Sequence, residues 1–190
     1  MPNEVLQKVG TQIIFADHAT DFAGGTAKTS LEVATATDVQ LDLTDLADAT
    51  SNGRESAQVD LTAARAARYS VMATFEFAAT PTTGDIVELY WAPSPESTAT
   101  DGNIMSIDGA DAAAPSGIGT LDELVAACQN IGNFVCTNDA TPSIQTAYIG
   151  TFSPAERYGI LIVKNESGAA FHSDAVETHI VFNPIIDEVQ

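Results

Sequence analysis

Two histidines and three possible partners crowd a short stretch of this sequence: His172, Ser173, Asp174, Glu177 and His179. Imidazole nitrogens beside carboxylate oxygens are the donor set of a divalent-metal centre. In a strand beginning at Val176, Glu177 and His179 point to one face, and His172 could approach them from the preceding loop. The competing reading places His172 and Asp174 in a loop and His179 among polar neighbours on the outer face of a sheet, and the sequence favours it. Nucleophilic catalysis requires a base within hydrogen-bond reach of the nucleophile and a third group to orient that base. The chain has no GxSxG elbow, no HExxH helix and no GxxxxGK[ST] phosphate loop. No catalytic, cofactor-binding or metal-ligating residue is therefore expected, nor an enzyme. Asp17 and His18 read as a solvated turn.

Weaker candidates have plain structural alternatives. Asp101, Gly102, Asn103, Asp108, Gly109 and Asp111 offer hard oxygen ligands, but the DxDxDG alternation and the closing bidentate Glu of a calcium loop are missing. Trp91 could stack on a sugar. In a strand, however, Tyr90 and Trp91 face opposite sides, and core packing is the expectation for the indole. The sequon at Asn165, Glu166 and Ser167 has no consequence without a secretory signal. Cys128 and Cys136 are too few for a thiolate metal site and are read as buried free thiols, with a mutual disulfide as the alternative.

Composition narrows the partners. The chain has 190 residues, 7 Lys and Arg against 26 Asp and Glu, and a net charge of −19. Affinity for nucleic acid comes from clustered cations that release condensed counterions, so nucleic acid is excluded as a partner, and an anionic membrane surface with it. The 45% hydrophobic content is that of a folded domain and not of an acidic tail. No segment reaches the length of a membrane span, and the opening MPNEVLQKVGTQ lacks a basic stretch followed by an apolar run.

The elements that would position these residues read mostly as strands. Val39, Leu41 and Leu43 alternate with polar residues, as do Tyr69, Val71, Ala73, Phe75 and Phe77 within Arg68 to Ala78. The turn PTTGD then leads to Ile86 to Ala92, so these two strands read as a hairpin. Asp21 to Ser30 is glycine-rich slack. Pro93 to Gly119 is an unusually long loop. Thr120 and Glu123 form a capping box for a helix over Leu121 to Gln129. Further strands are expected at Gln12 to Phe15, Phe134 to Thr137, Ile144 to Phe152, Tyr158 to Lys164 and Val176 to Phe182. No repeat and no second core are visible. The pattern predicts an all-β protein, an antiparallel β-sandwich and most economically a jelly roll, with one short helix. Residues 1–38 form an N-terminal arm or peripheral strands and residues 39–190 the sandwich. For Gln12 to Phe15 two alternatives stay open: a strand lent to a neighbouring sheet, or one paired inside its own.

Four runs carry a resemblance: KVGTQIIFADHATDF from Lys8, ELYWAPSP from Glu88, FSPAERYG from Phe152 and KNESGAAFHSDAVETHIVFNPIIDEVQ from Lys164. They resemble small virion structural proteins of tailed bacteriophages. The resemblance implies a particle component made in the host cytoplasm and resident in the virion, with no catalytic residue to carry over. It implies a capsid decoration or cement protein, with a tail or adaptor component or a receptor or carbohydrate-binding module as alternatives. The partners are then virion proteins, major capsid or tail, with other copies of the chain.

Overall fold

Strand β6 (Arg68–Phe77) shows how this sequence makes a layer. Its odd-numbered residues Tyr69, Val71, Ala73, Phe75 and Phe77 are 3% exposed or less, because alternate side chains of a strand share one face. The computed structural model describes residues 5–8, 10–20, 22, 36–62, 66–98, 102–139, 143–173 and 177–189, with the backbone alone at 5–8 and 187–189. Before β6 come β1 (Val5–Lys8), β2 (Gln12–Ala16), β3 (Ala36–Gln40), β4 (Gly53–Glu55) and β5 (Val59–Asp60). After it come β7 (Ile86–Ser94), a 3-10 turn (Ile104–Ser106), β8 (Ala112–Ala114), helix α1 (Leu121–Ala127), β9 (Gln129–Val135), β10 (Ser143–Phe152), β11 (Tyr158–Glu166) and β12 (His179–Val189).

These strands form two sheets. One has the order β10-β6-β12-β2-β3, with β1 also paired to β12; the other has the order β8-β4-β11-β7-β9, with β5 also paired to β11. Setting aside β1, β3, β5 and β8 leaves β2-β12-β6-β10 packed on β4-β11-β7-β9, which is the strand order of a jelly roll. All neighbours are antiparallel except β2 and β3. The core lies between the sheets, where Phe75 meets Phe134 edge-on at 5.0 Å and Trp91 lies 5.5 Å from Phe152 and 6.0 Å from Phe182. The all-β sandwich expected from the alternation is the observed fold.

Several local expectations are corrected. β6 and β7 are not a hairpin: β6 pairs with β10 and β12, and β7 with β9 and β11. Alternation marks a strand and its buried face but does not name its partner, and residues 78–85 carry the chain from one layer to the other. The strands flanking Asn165 to Ala175 likewise lie in different sheets. Helix α1 has its capping box, with Thr120 Oγ1 accepting from the Glu123 amide at 3.3 Å and Glu123 Oε2 accepting from the Thr120 amide at 2.9 Å. It stops at Ala127 because Gln129 and Asn130 are drawn into pairing with Trp91 and Tyr90.

The 93–119 segment is not a plain loop either, since it contains the end of β7, the 3-10 turn and β8. Its sparse apolar residues join those of α1 in a second cluster on the outer face of the β7 and β11 sheet, where Ile107 and Ala114, with Leu121 and Leu124 of the helix, cover Ala92, Ile160 and Ile162. That is why β11 is buried from Gly159 to Asn165 on both faces. A third cluster, Ile14, Ala16, Phe22 and Val181, covers part of the other sheet's outer face. β2 sits between β3 and β12 with Ile13 and Phe15 in the main core, so Gln12 to Phe15 pair inside their own sheet. Most of Asp21 to Ser30 lies outside the described residues.

Candidate functional site

The histidine cluster does not assemble. His172 Nδ1 stands 3.9 Å from Glu76 Oε1, and its amide donates to the Glu76 carbonyl. His179 is the first residue of β12, so Glu177 precedes the strand instead of sharing a face with it. Nδ1 of His179 donates to the Glu177 backbone carbonyl at 2.7 Å, while its ring packs edge-on against Phe22. Burial pushes the His179 pKa below its usual value, partly offset by that carbonyl. In register it faces Thr74, which shares a hydroxyl hydrogen bond with Thr146, so the ring has a polar neighbour on one side and the aromatic Phe22 on another. Asp174 lies outside the described residues and Ser173 is exposed. Among the described residues no three His, Cys, Asp or Glu side chains converge on a metal position.

The remaining candidates serve as scaffold. Asp17 is buried and not solvated: its Oδ1 accepts from the Ala19 and Thr20 amides at 3.1 Å and from Gln40 Nε2 at 2.8 Å. His18 Nε2 lies 3.0 Å from the Ile14 carbonyl. Asp108 accepts from the Ala110 amide within its own turn, and Asn103 donates to the Ile107 carbonyl. Asp111 accepts from Arg54 Nε at 2.7 Å, from the Asp42 amide at 3.2 Å and from Gln40 Nε2 at 3.3 Å. These contacts tie the β3 edge of one sheet to the β4 and β8 edge of the other, and the Asp111 bond raises the Arg54 pKa above its usual value. Asp101 lies outside the described residues.

Trp91 is 0% exposed and cannot meet a ligand. Its indole lies so close to Gly159 that a Cβ there would overlap the ring. Asn165 is buried, donating to the Leu46 and Ala169 carbonyls at 2.9 Å, so the sequon is an internal anchor. Both cysteines are free, with Cys136 in the main core. Lys164 is ringed by Glu166 at 2.8 Å, Asp122 at 3.2 Å and Glu88 at 3.5 Å, which fastens α1 to β11.

Sequence reasoning missed three features. The first is Glu55, a fully buried carboxyl in β4 with Oε1 accepting from the Ser116 amide at 2.9 Å and Oε2 without a partner. Burial pushes its pKa up to about 7 against the Ser116 hydrogen bond, with Asp108 adding to the rise and Arg54 opposing it. The second is a two-stranded ribbon. β6 accompanies β12 only as far as Arg68 opposite Ile185, and from Ile186 to Val189 β12 pairs, among the described residues, with β1 alone. The third is an open crevice of about 270 Å³ at the base of that ribbon, lined in part by Thr11, Thr37, Asp60, Thr62, Tyr69 and Ile186. Alternation in Ile180, Phe182, Pro184 and Ile186 marks β12 as a strand as far as Ile186, which still packs against the main core, but it does not announce the ribbon beyond. Comparison with protein-family models, curated proteins and solved structures finds no match.

Proposed function

We propose that this chain is a structural protein of a tailed-bacteriophage virion, a capsid decoration or cement protein that binds neighbouring virion subunits. The observation that carries the reading is the ribbon. From Ile186 to Val189 the edge of β12 turned away from β1 has no strand beside it among the described residues, and such an edge takes up an extended segment of a neighbour through main-chain hydrogen bonds. The crevice beneath it offers a socket for an inward side chain of that segment. The resemblance of the ELYWAPSP, FSPAERYG and KNESGAAF runs to virion proteins points the same way. A location outside the shell suits a charge of −19, which packaged DNA repels.

The test is a truncation of residues 1–8, which removes β1 and leaves β2 and the core intact. The truncated chain is expected to keep the full-length urea midpoint and to lose binding to undecorated particles. A second reading, a receptor or carbohydrate-binding module, is favoured by the hydroxyls and the carboxylate around the crevice. On that reading the truncated chain still decorates particles, and retained decoration overturns the ribbon as the site of attachment.

A further inference from the structure

The two narrow sides of the sandwich are built differently. The β3, β4 and β8 side is closed by the charged network around Asp111. The opposite side is formed by β9 and β10, the edge strands of the two sheets, which pack against each other where Gly132 meets Ile149. Gly132 and Gly150 both have positive φ, at +151° and +154°, beside irregularities in the strand register that let the two edges approach.

The two strands of this second side carry almost no charge, the carboxylates next to them being Glu76 opposite Ile144 and Glu88 opposite Asn133. From Leu124 to Ala155 the sequence has a single charged residue, Asp139, whereas 17% charged residues over that length would give about five. Edge strands are ordinarily protected by charge. Here the exposed residues are Asn130, Asn133 and Val135 on β9 and Ile144, Thr146, Tyr148 and Thr151 on β10. Tyr148 is 60% exposed, Val135 58% and Ile144 49%; together with Ile118, 68% exposed in the loop before α1, they are the large apolar side chains left exposed among the described residues. Apolar, aromatic and amide groups without charge are the composition of an interface centre.

Charge also selects what meets this surface. A basic partner is drawn to the acidic faces and gains nothing here. A second copy, at −19, is repelled wherever carboxylates face each other within about 8 Å at physiological salt. The uncharged wall is the surface through which it can approach. We propose that the β9 and β10 wall is the self-association surface of this protein, burying Tyr148, Ile144 and Val135 against a second copy. The proposal rests on the assembly reading above and names one of its neighbours.

Sedimentation equilibrium of the purified full-length chain tests it. Reversible association is expected, tightening as NaCl rises and screens the residual repulsion. Tyr148→Glu and Ile144→Glu are each expected to weaken it about tenfold or more. Ile118→Glu introduces the same charge at a comparably exposed site elsewhere and should leave the constant unchanged. Because Tyr148 and Ile144 are exposed, folding is checked by urea midpoint, and Tyr148→Ser serves if a glutamate disturbs β10. A chain that stays monomeric at all salts, Tyr148 variants that associate like the parent, or Ile118→Glu weakening association equally, each overturn the proposal. Particle binding reads out separately: its loss with self-association intact counts against the virion reading alone.

Discussion

Replacing Glu55 by Gln should make the protein more stable at neutral pH and leave it little changed in mild acid. Glu55 ionises with a pKa of about 7 in the folded chain against 4.5 in the unfolded one. Between those values the folded state holds a proton that the unfolded state has released, so stability falls as pH rises. The difference of roughly 2.5 pKa units corresponds to about 3 kcal/mol lost between pH 4.5 and pH 7 and not regained above it. Gln at 55 keeps an acceptor for the Ser116 amide, 2.9 Å away in the parent, and has no proton to lose. For a chain of this length 3 kcal/mol is worth roughly 6–12 °C in Tm. Urea denaturation of both proteins at intervals from pH 5 to pH 8 isolates the effect, since every other titrating group is common to the two. Their difference in unfolding free energy should grow by about 2.5 kcal/mol in favour of Gln across that range, the first part of the loss falling below pH 5. Parallel curves would mean that Glu55 titrates as an ordinary exposed carboxylate, and the account of its burial would be wrong.

Two further outcomes follow from the packing. Gly159→Ala should destabilise the chain by about 1–3 kcal/mol, because the added Cβ overlaps the buried Trp91 ring; an unchanged urea midpoint would show that the strand yields there. Burial pushes the Cys128 thiol up to about 12 and Cys136 up to about 11, so neither should react with a disulfide reagent at pH 8 until denaturant is added, and prompt labelling of the native protein counts against their placement.

The fold was legible where one face of a strand is buried and the other is not. Tyr69 to Phe77 in β6 and the capping residues Thr120 and Glu123 announce themselves by period and by type. Strand partners were not legible, because PTTGD between two good strands looks the same whether the chain reverses within a sheet or crosses to the other layer. β4 and β8 were invisible for a different reason: Gly53 to Glu55 reads as a polar turn and Ala112 to Ala114 has no strand preference, and both become strands by pairing with each other and, for β4, with β11. The same invisibility hid Glu55, since nothing local says that a glutamate between Arg54 and Ser56 will be covered by Ser116 from 61 residues away. Asp111 read only as one carboxylate of an acidic loop because Arg54, Gln40 and Asp42, which claim it, come from distant elements.

The place of β12 has a consequence for how the chain is made. It is synthesised long after β2, its partner, yet it lies in the middle of its sheet, between β6 and β2, with Phe15 opposite Ile180. A ribosome working from the N-terminus therefore releases Ile13, Ile14 and Phe15 long before the strand that covers them exists. Throughout that interval the nascent chain exposes an apolar strand edge, the condition under which chains made in quantity stick to one another. The carboxylates are already in place along the emerging chain, and their mutual repulsion keeps one unfinished copy away from the next.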